Sequence, residues 1–126
     1  MRCVISGSFR KYYENIYQTI DVFEKLGIKV LSPKKSKIIN PGENFAILET
    51  DSSKDIKTLE LNHLEAIRKA DFLYVCNPSG YMGTSTLVEI GFAIGCKKNL
   101  YFLEQPQDPV IASFANYIGS PNNIPR

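Results

Sequence analysis

The sequence predicts an α/β domain built on a mainly parallel sheet with helices on both faces, and three observations predict it. Short apolar runs alternate with longer segments of helical periodicity along the whole chain. A length of 126 residues with 44% hydrophobic content suits one core of two or three layers. Loops rich in glycine and hydroxyls follow the first and third apolar runs, where such a sheet presents its ligand site.

The elements follow in order. Arg2 to Ser6 carries Cys3-Val4-Ile5 and stops at Gly7, which reads as a buried strand ending in a loop. From Tyr12 to Leu26, Tyr13, Ile16, Ile20 and Phe23 recur at helical spacing and Gly27 supplies the stop; Ile28 to Leu31 is the second strand. Pro33 to Gly42 is basic and punctuated by prolines, a surface excursion, and Phe45 to Thr50 is either a short strand or part of it. Asp55 to Ala70 returns to helical spacing through Ile56, Leu59, Leu64 and Ile67 and leads into Phe72 to Cys76, a continuous apolar third strand. After the loop Asn77 to Ser85 come a helix from Thr86 to Cys96, a strand from Leu100 to Leu103 and a last helix from Pro109 to Tyr117. The chain thus reads as one domain over residues 1–118 with a Pro- and Asn-rich tail, 119–126, expected to be mobile.

Right-handed crossovers between these strands give a flavodoxin-like or Rossmann-like three-layer sandwich. If the strand order begins 2-1-3-4, the switch point lies between the first and third strands. The loops Gly7 to Lys11 and Asn77 to Ser85 then meet at one crevice.

Charge narrows the partners. Fifteen Lys and Arg against 13 Asp and Glu give +2, too little for a nucleic-acid surface, and Lys34-Lys35-Ser36-Lys37 reads as a charged exterior. No run approaches the roughly 18 apolar residues of a membrane span, and no basic segment with an apolar run opens the chain, so a cytoplasmic protein is expected. The three cysteines, Cys3, Cys76 and Cys96, are widely spaced within apolar segments and read as small core residues. No metal cluster is visible.

In Gly7-Ser8-Phe9-Arg10 the glycine permits a tight turn, Ser8 offers a hydroxyl, the following helix start favours an anion, and Arg10 can clamp phosphate; the alternative is a plain turn. The segment is neither G-x-G-x-x-G nor a P-loop. The second loop offers Asn77, Gly80, Gly83, Thr84 and Ser85 to a ribose or phosphate, with Tyr81 or Phe9 to pack on a base. Glu89 reads two ways, as a carboxylate for catalysis or as the partner of Thr86 in a capping box.

The stretch Ala70 to Ala93, above all Gly80-Tyr81-x-Gly83 followed by Glu89-Ile90-Gly91-Phe92-Ala93, resembles the signature of nucleoside 2-deoxyribosyltransferase-like proteins and the related deoxynucleoside monophosphate N-glycosidases. Gly7-Ser8-x-Arg10 resembles the loop with which the monophosphate glycosidases hold a 5′-phosphate. The resemblance implies a Glu89 nucleophile, a nucleoside or nucleotide substrate, a retaining mechanism without a cofactor, and a homodimer or higher homo-oligomer, with which Phe114 and Tyr117 on the last helix are compatible. It departs at one place. Many relatives carry an aspartate in the helix before the third strand, and His63, the only histidine, stands at the matching position, where an imidazolium can donate the same proton. Against this, a helix starting at Asp55 carries His63 about 12 Å below the ligand end. The departure also leaves open a second class of function, a nucleotide-binding sensor or sequestering module without turnover.

Overall fold

The computed structural model describes residues 1–43, 45–51 and 53–126. Its elements are β1 (Arg2–Gly7), α1 (Phe9–Lys25), β2 (Lys29–Ser32), α2 (Ile56–Lys69), β3 (Phe72–Cys76), α3 (Thr84–Gly95), β4 (Asn99–Phe102), α4 (Pro109–Ser113) and β5 (Tyr117–Ile118), with single 3-10 turns at Pro78–Gly80 and Pro121–Asn123. The strands form one five-stranded sheet in the order β2-β1-β3-β4-β5, and every pairing is parallel. This is the expected three-layer α/β sandwich, with the 2-1-3-4 order extended by a fifth strand.

Side-chain alternation along the strands builds the two faces. Cys3, Ile5, Phe72, Tyr74 and Cys76 pack against Ile16, Ile20 and Phe23 of α1, where the Phe23 ring meets Phe72 and Tyr74 edge-on at 5.7 and 5.3 Å. Val4, Leu73, Val75, Leu100 and Phe102 face the other way, onto Ile67 of α2 and Ile90 and Ala93 of α3. With both faces covered, every residue of β3 is buried, which is why that strand reads as an unbroken apolar run. Cys3 and Cys76 belong to this core, and burial pushes their thiols up to about 12 and about 11.

Several boundaries differ from expectation, each for a physical reason. Helix α1 begins at Phe9, not Tyr12; Tyr12 itself is non-helical (φ −134°, ψ 30°), so Phe9 to Lys11 form a separate first turn rather than a loop. Helix α3 begins at Thr84 with Gly83 as its cap residue, which puts Glu89 in the second turn and removes the capping box read into Thr86 and Glu89. The last helix ends at Ser113. Beyond it Asn116 joins the edge of β4, its N–H donating to Leu100 O (2.8 Å) and its Oδ1 accepting from Leu100 N (2.8 Å), so the following residues become β5. An open strand edge offers ladder bonds that a short surface helix cannot match.

The final segment is also fastened where a mobile tail was expected. The buried Tyr74 hydroxyl donates to Gly119 O (2.7 Å), Tyr117 donates to Ser120 O (2.8 Å), and Ile124 lies in the core on the α1 side. Phe114 is exposed, whereas Tyr117 packs half-buried on Tyr101. Residues 33–51 form the excursion, neither strand nor helix among the described residues, with a single antiparallel bridge between Ile38 and Leu48.

Candidate active site

At the carboxyl ends of β1 and β2 lies a crevice of about 920 Å³. Its floor is polar. Ser6 comes from the last turn-ward residues of β1, Ser32 from the end of β2, Glu60 and His63 from α2, and Glu89 from α3. Apolar residues of the excursion and α2, Phe45, Leu48, Ile56 and Leu59, make one wall.

His63 organises the floor. Its Nδ1 lies 2.7 Å from Ser32 Oγ; its Nε2 lies 3.3 Å from Ser6 Oγ and 3.5 Å from Glu89 Oε1. The imidazole is therefore held between two strands and aimed at the glutamate. The objection to His63 from its place in the helix dissolves when height is measured from the other end. Arg2 and Asp71 are level, because Asp71 N donates to Arg2 O (2.9 Å) and Arg2 N to the Asp71 carboxylate (2.7 Å). From there His63 stands about 12 Å up a helix and Ser6 about 13 Å up a strand. Helix α2 starts where expected but overhangs the sheet edge, so its first turn walls the crevice and its second turn carries His63 to the level of the strand ends.

Electrostatics divide the three titratable groups. Burial alone would raise Glu89, but the charge and hydrogen bond of His63, with further hydrogen bonds from Glu60 and Ser6, hold it below the usual carboxylate value. Burial lowers His63, yet the Glu89 charge and hydrogen bond and the Glu60 charge outweigh that and leave it raised. Glu60 is pushed up to about 8, first by burial and then by its hydrogen bond to, and repulsion from, Glu89. Neighbouring groups driven apart in this way can serve as base or nucleophile and as acid at one pH.

Two of the helix starts differ from the others. Asp55 caps α2 by accepting from Thr58 N, and Asp108 caps α4 by accepting from Val110 and Ile111 N. Ser8 and Gly83, the cap residues of α1 and α3, make no side-chain cap bond, and both helices begin at the crevice rim. Free N–H groups of two helices therefore face the same space, an arrangement that attracts an anion.

Of the residues singled out in the sequence, Gly7, Ser8, Phe9, Arg10, His63, Tyr81, Gly83, Thr84, Ser85 and Glu89 line the crevice. Asn77 and Gly80 do not. Asn77 is fully buried and clasps the backbone of Glu104, its Nδ2 donating to Glu104 O (3.0 Å) and its Oδ1 accepting from Glu104 N (2.9 Å). Gly80 adopts φ +78° in the turn behind it, facing Gln105 and Gln107. Gly7 owes its identity to packing, since a Cβ there would stand 2.7 Å from Cys76 O. Tyr81 is engaged already, with Lys11 Nζ 3.8 Å from its ring centre and Tyr12 edge-on at 6.2 Å.

No family model and no curated protein sequence matches the chain. Solved structures do. A CMP N-glycosidase from Clostridium botulinum has a TM-score of 0.63 at 14% identity over 98% of this chain and 90% of its own. A 2-deoxyribosyltransferase from Bacillus psychrosaccharolyticus has a TM-score of 0.68 at 18% identity over 97% and 88%. A conserved protein from Enterococcus faecalis V583 has 0.58 at 14% over 96% and 92%. The chain has the nucleoside 2-deoxyribosyltransferase-like fold.

Within this fold, sequence reasoning missed Glu60, Ser6 and Ser32. A signal for Glu60 existed: it shares one ridge of α2 with His63, at a spacing of three, so the side of the helix that carries the histidine carries Glu60 too. Ser6 and Ser32 each close an apolar strand with a hydroxyl.

Proposed function

We propose that the protein cleaves or transfers the N-glycosidic bond of a nucleoside or nucleoside 5′-monophosphate, with Glu89 as nucleophile in a retaining reaction. The observation that carries this reading is a buried carboxylate kept ionised at the floor of a crevice by His63 at 3.5 Å. Attack on C1′ needs the charged form, and the charge pairing supplies it where burial would remove it. The helix dipole contributes little, because Glu89 lies beyond the first turn of α3. Attack forms a glycosyl ester and expels the base; water then frees the sugar, or a second base takes it. The likeness in fold to a CMP N-glycosidase and a 2-deoxyribosyltransferase supports the bond type.

A 5′-phosphate is favoured by the two uncapped helix starts together with Ser8, Arg10 and Ser85 at the rim. The base is assigned to the apolar wall of Phe45, Leu48, Ile56 and Leu59. We place the reaction in the cytosol, in a homodimer or larger homo-oligomer. Exposed Phe114 supports the assembly, which light scattering tests, and no helix among the described residues is long and apolar enough to cross a membrane.

The deciding experiment is chromatographic detection of free base from ribo- and deoxyribonucleosides and their 5′-monophosphates, with and without a second base as acceptor. Release by the parent and not by Glu89→Gln supports the reading. No release from any substrate, with a ligand-dependent thermal shift, supports a binding module instead.

A further inference from the structure

We propose that Glu60, rather than His63, is the catalytic acid that protonates the departing base and then the base that activates water, while His63 is a positioning residue for Glu89. The inference rests on the reading of Glu89 as nucleophile and deepens it.

Three observations converge on Glu60. It lies one helical turn before His63 on the same side of α2 and lines the crevice. It shares the crevice floor with Glu89, whose neighbouring charge raises it, and two such carboxyls can hydrogen-bond only if one of them carries a proton. Its Oε2 is buried with no hydrogen-bond partner among the described residues, a costly state for an ionised carboxylate and a mild one for a neutral acid. A proton on Glu60 resolves both the crowding and the unmet oxygen, and the value of about 8 agrees. Glu89 keeps the negative charge because His63 stands beside it.

His63 is committed elsewhere. As imidazolium it donates Nδ1–H to Ser32 and shares Nε2–H between Ser6 and Glu89, so neither proton points at a free part of the crevice. Handing one to a base would strip Glu89 of its partner during attack. Glu89 from α3 and His63 from its own helix are the titratable groups that face Glu60. Arg10, Lys34 and Asp51 line the same crevice from α1 and the excursion.

The steps balance. As Glu89 forms its bond to C1′, the C1′–N bond breaks, its electron pair stays on the base nitrogen, and the base takes the Glu60 proton. Glu60, now a carboxylate, then accepts a proton from the water that attacks C1′. The Glu89–C1′ bond breaks with its electrons returning to Glu89, and Glu60 is protonated for the next turnover.

The test is base release as a function of pH, by the parent, Glu60→Gln and His63→Asn, on whichever panel nucleotide the parent cleaves fastest. Thermal unfolding of each variant establishes that it is folded. The parent is expected to lose kcat/KM as pH rises past about 8. Glu60→Gln should lose about 100-fold or more in kcat with little change in KM, and the residual rate should no longer fall on the alkaline side. His63→Asn should keep an alkaline fall belonging to Glu60. Glu60→Asp should recover part of the lost rate. The proposal is overturned if Glu60→Gln stays within a few-fold of the parent or retains the alkaline fall, or if His63→Asn is the variant that removes it. Should the parent release no base at all, both this inference and the proposed function fail; loss in Glu89→Gln with none in Glu60→Gln sinks this inference alone.

Discussion

Two polar arrangements, buried or half-buried, sit at the same edge of the sheet and have opposite characters. Past β3, Asn77 has a partner for each polar atom, both from the Glu104 backbone, and stands outside the crevice. Past β1 and β2, Glu60, His63 and Glu89 crowd three titratable groups together, with one carboxyl oxygen lacking a partner among the described residues. The first cluster is a fastening that joins the ends of β3 and β4. The second holds charge in a form that folding alone does not favour, and an arriving ligand can use it. Burial does not separate the two; what remains unsatisfied does.

Breaking each cluster should therefore show up in a different measurement. The largest effect is expected for Glu89→Gln, a fall of at least about 10³-fold in base release, with the folded state intact by circular dichroism. Asn77→Ala should instead lose about 2 kcal/mol of stability in urea unfolding, because the Glu104 N–H and C=O are left without partners, while release per folded molecule holds. For His63→Asn we expect kcat to fall by about tenfold. Its acid limb should move to higher pH, since Glu89 loses the charge that holds it down. A sharp loss of activity in Asn77→Ala, or of stability alone in Glu89→Gln, would reverse the assignment.

The smallest effect is on stability against pH, and its sign is fixed. Glu60 is raised in the folded state, so folding retains a proton that the unfolded chain releases. Stability falls as pH rises from the ordinary carboxylate range through about 8. His63 is raised too; its contribution is complete below about 6.5 and is lost as pH climbs through its higher folded value. Thermal unfolding of the parent should shift down by several degrees between mildly acidic and alkaline buffer, and Glu60→Gln should shift less.

The sheet was legible because alternation and apolar runs are local. β3 falls at Phe72–Cys76 as read, and α2 (Ile56–Lys69) fills the expected span Asp55 to Ala70 except for its two end residues, which cap it. What escaped depends on partners distant in sequence. Asn116 leaves a helical pattern to pair with Leu100, and Ile124 finds a core position that a Pro- and Asn-rich segment does not announce. At the site, Glu89, His63, Ser8 and Arg10 were named from motif and resemblance. Glu60 was not, because a glutamate within a helical repeat counts as solvated until the element packed over it is known.

The excursion after β2 is held mainly by itself: one bridge joins Ile38 to Leu48 and the Asn40 side chain clasps Phe45 O and Ile47 N, while Ser36 bonds to Tyr17 and Lys35 pairs with Asp21 of α1. No strand of the sheet runs through it, yet Phe45 and Leu48 form part of the crevice wall. It is thus a cassette. A library confined to residues 38–50 would resample the shape of the mouth while leaving the sheet and the charged floor unaltered in sequence, the partition an engineer seeking new substrates would otherwise have to build.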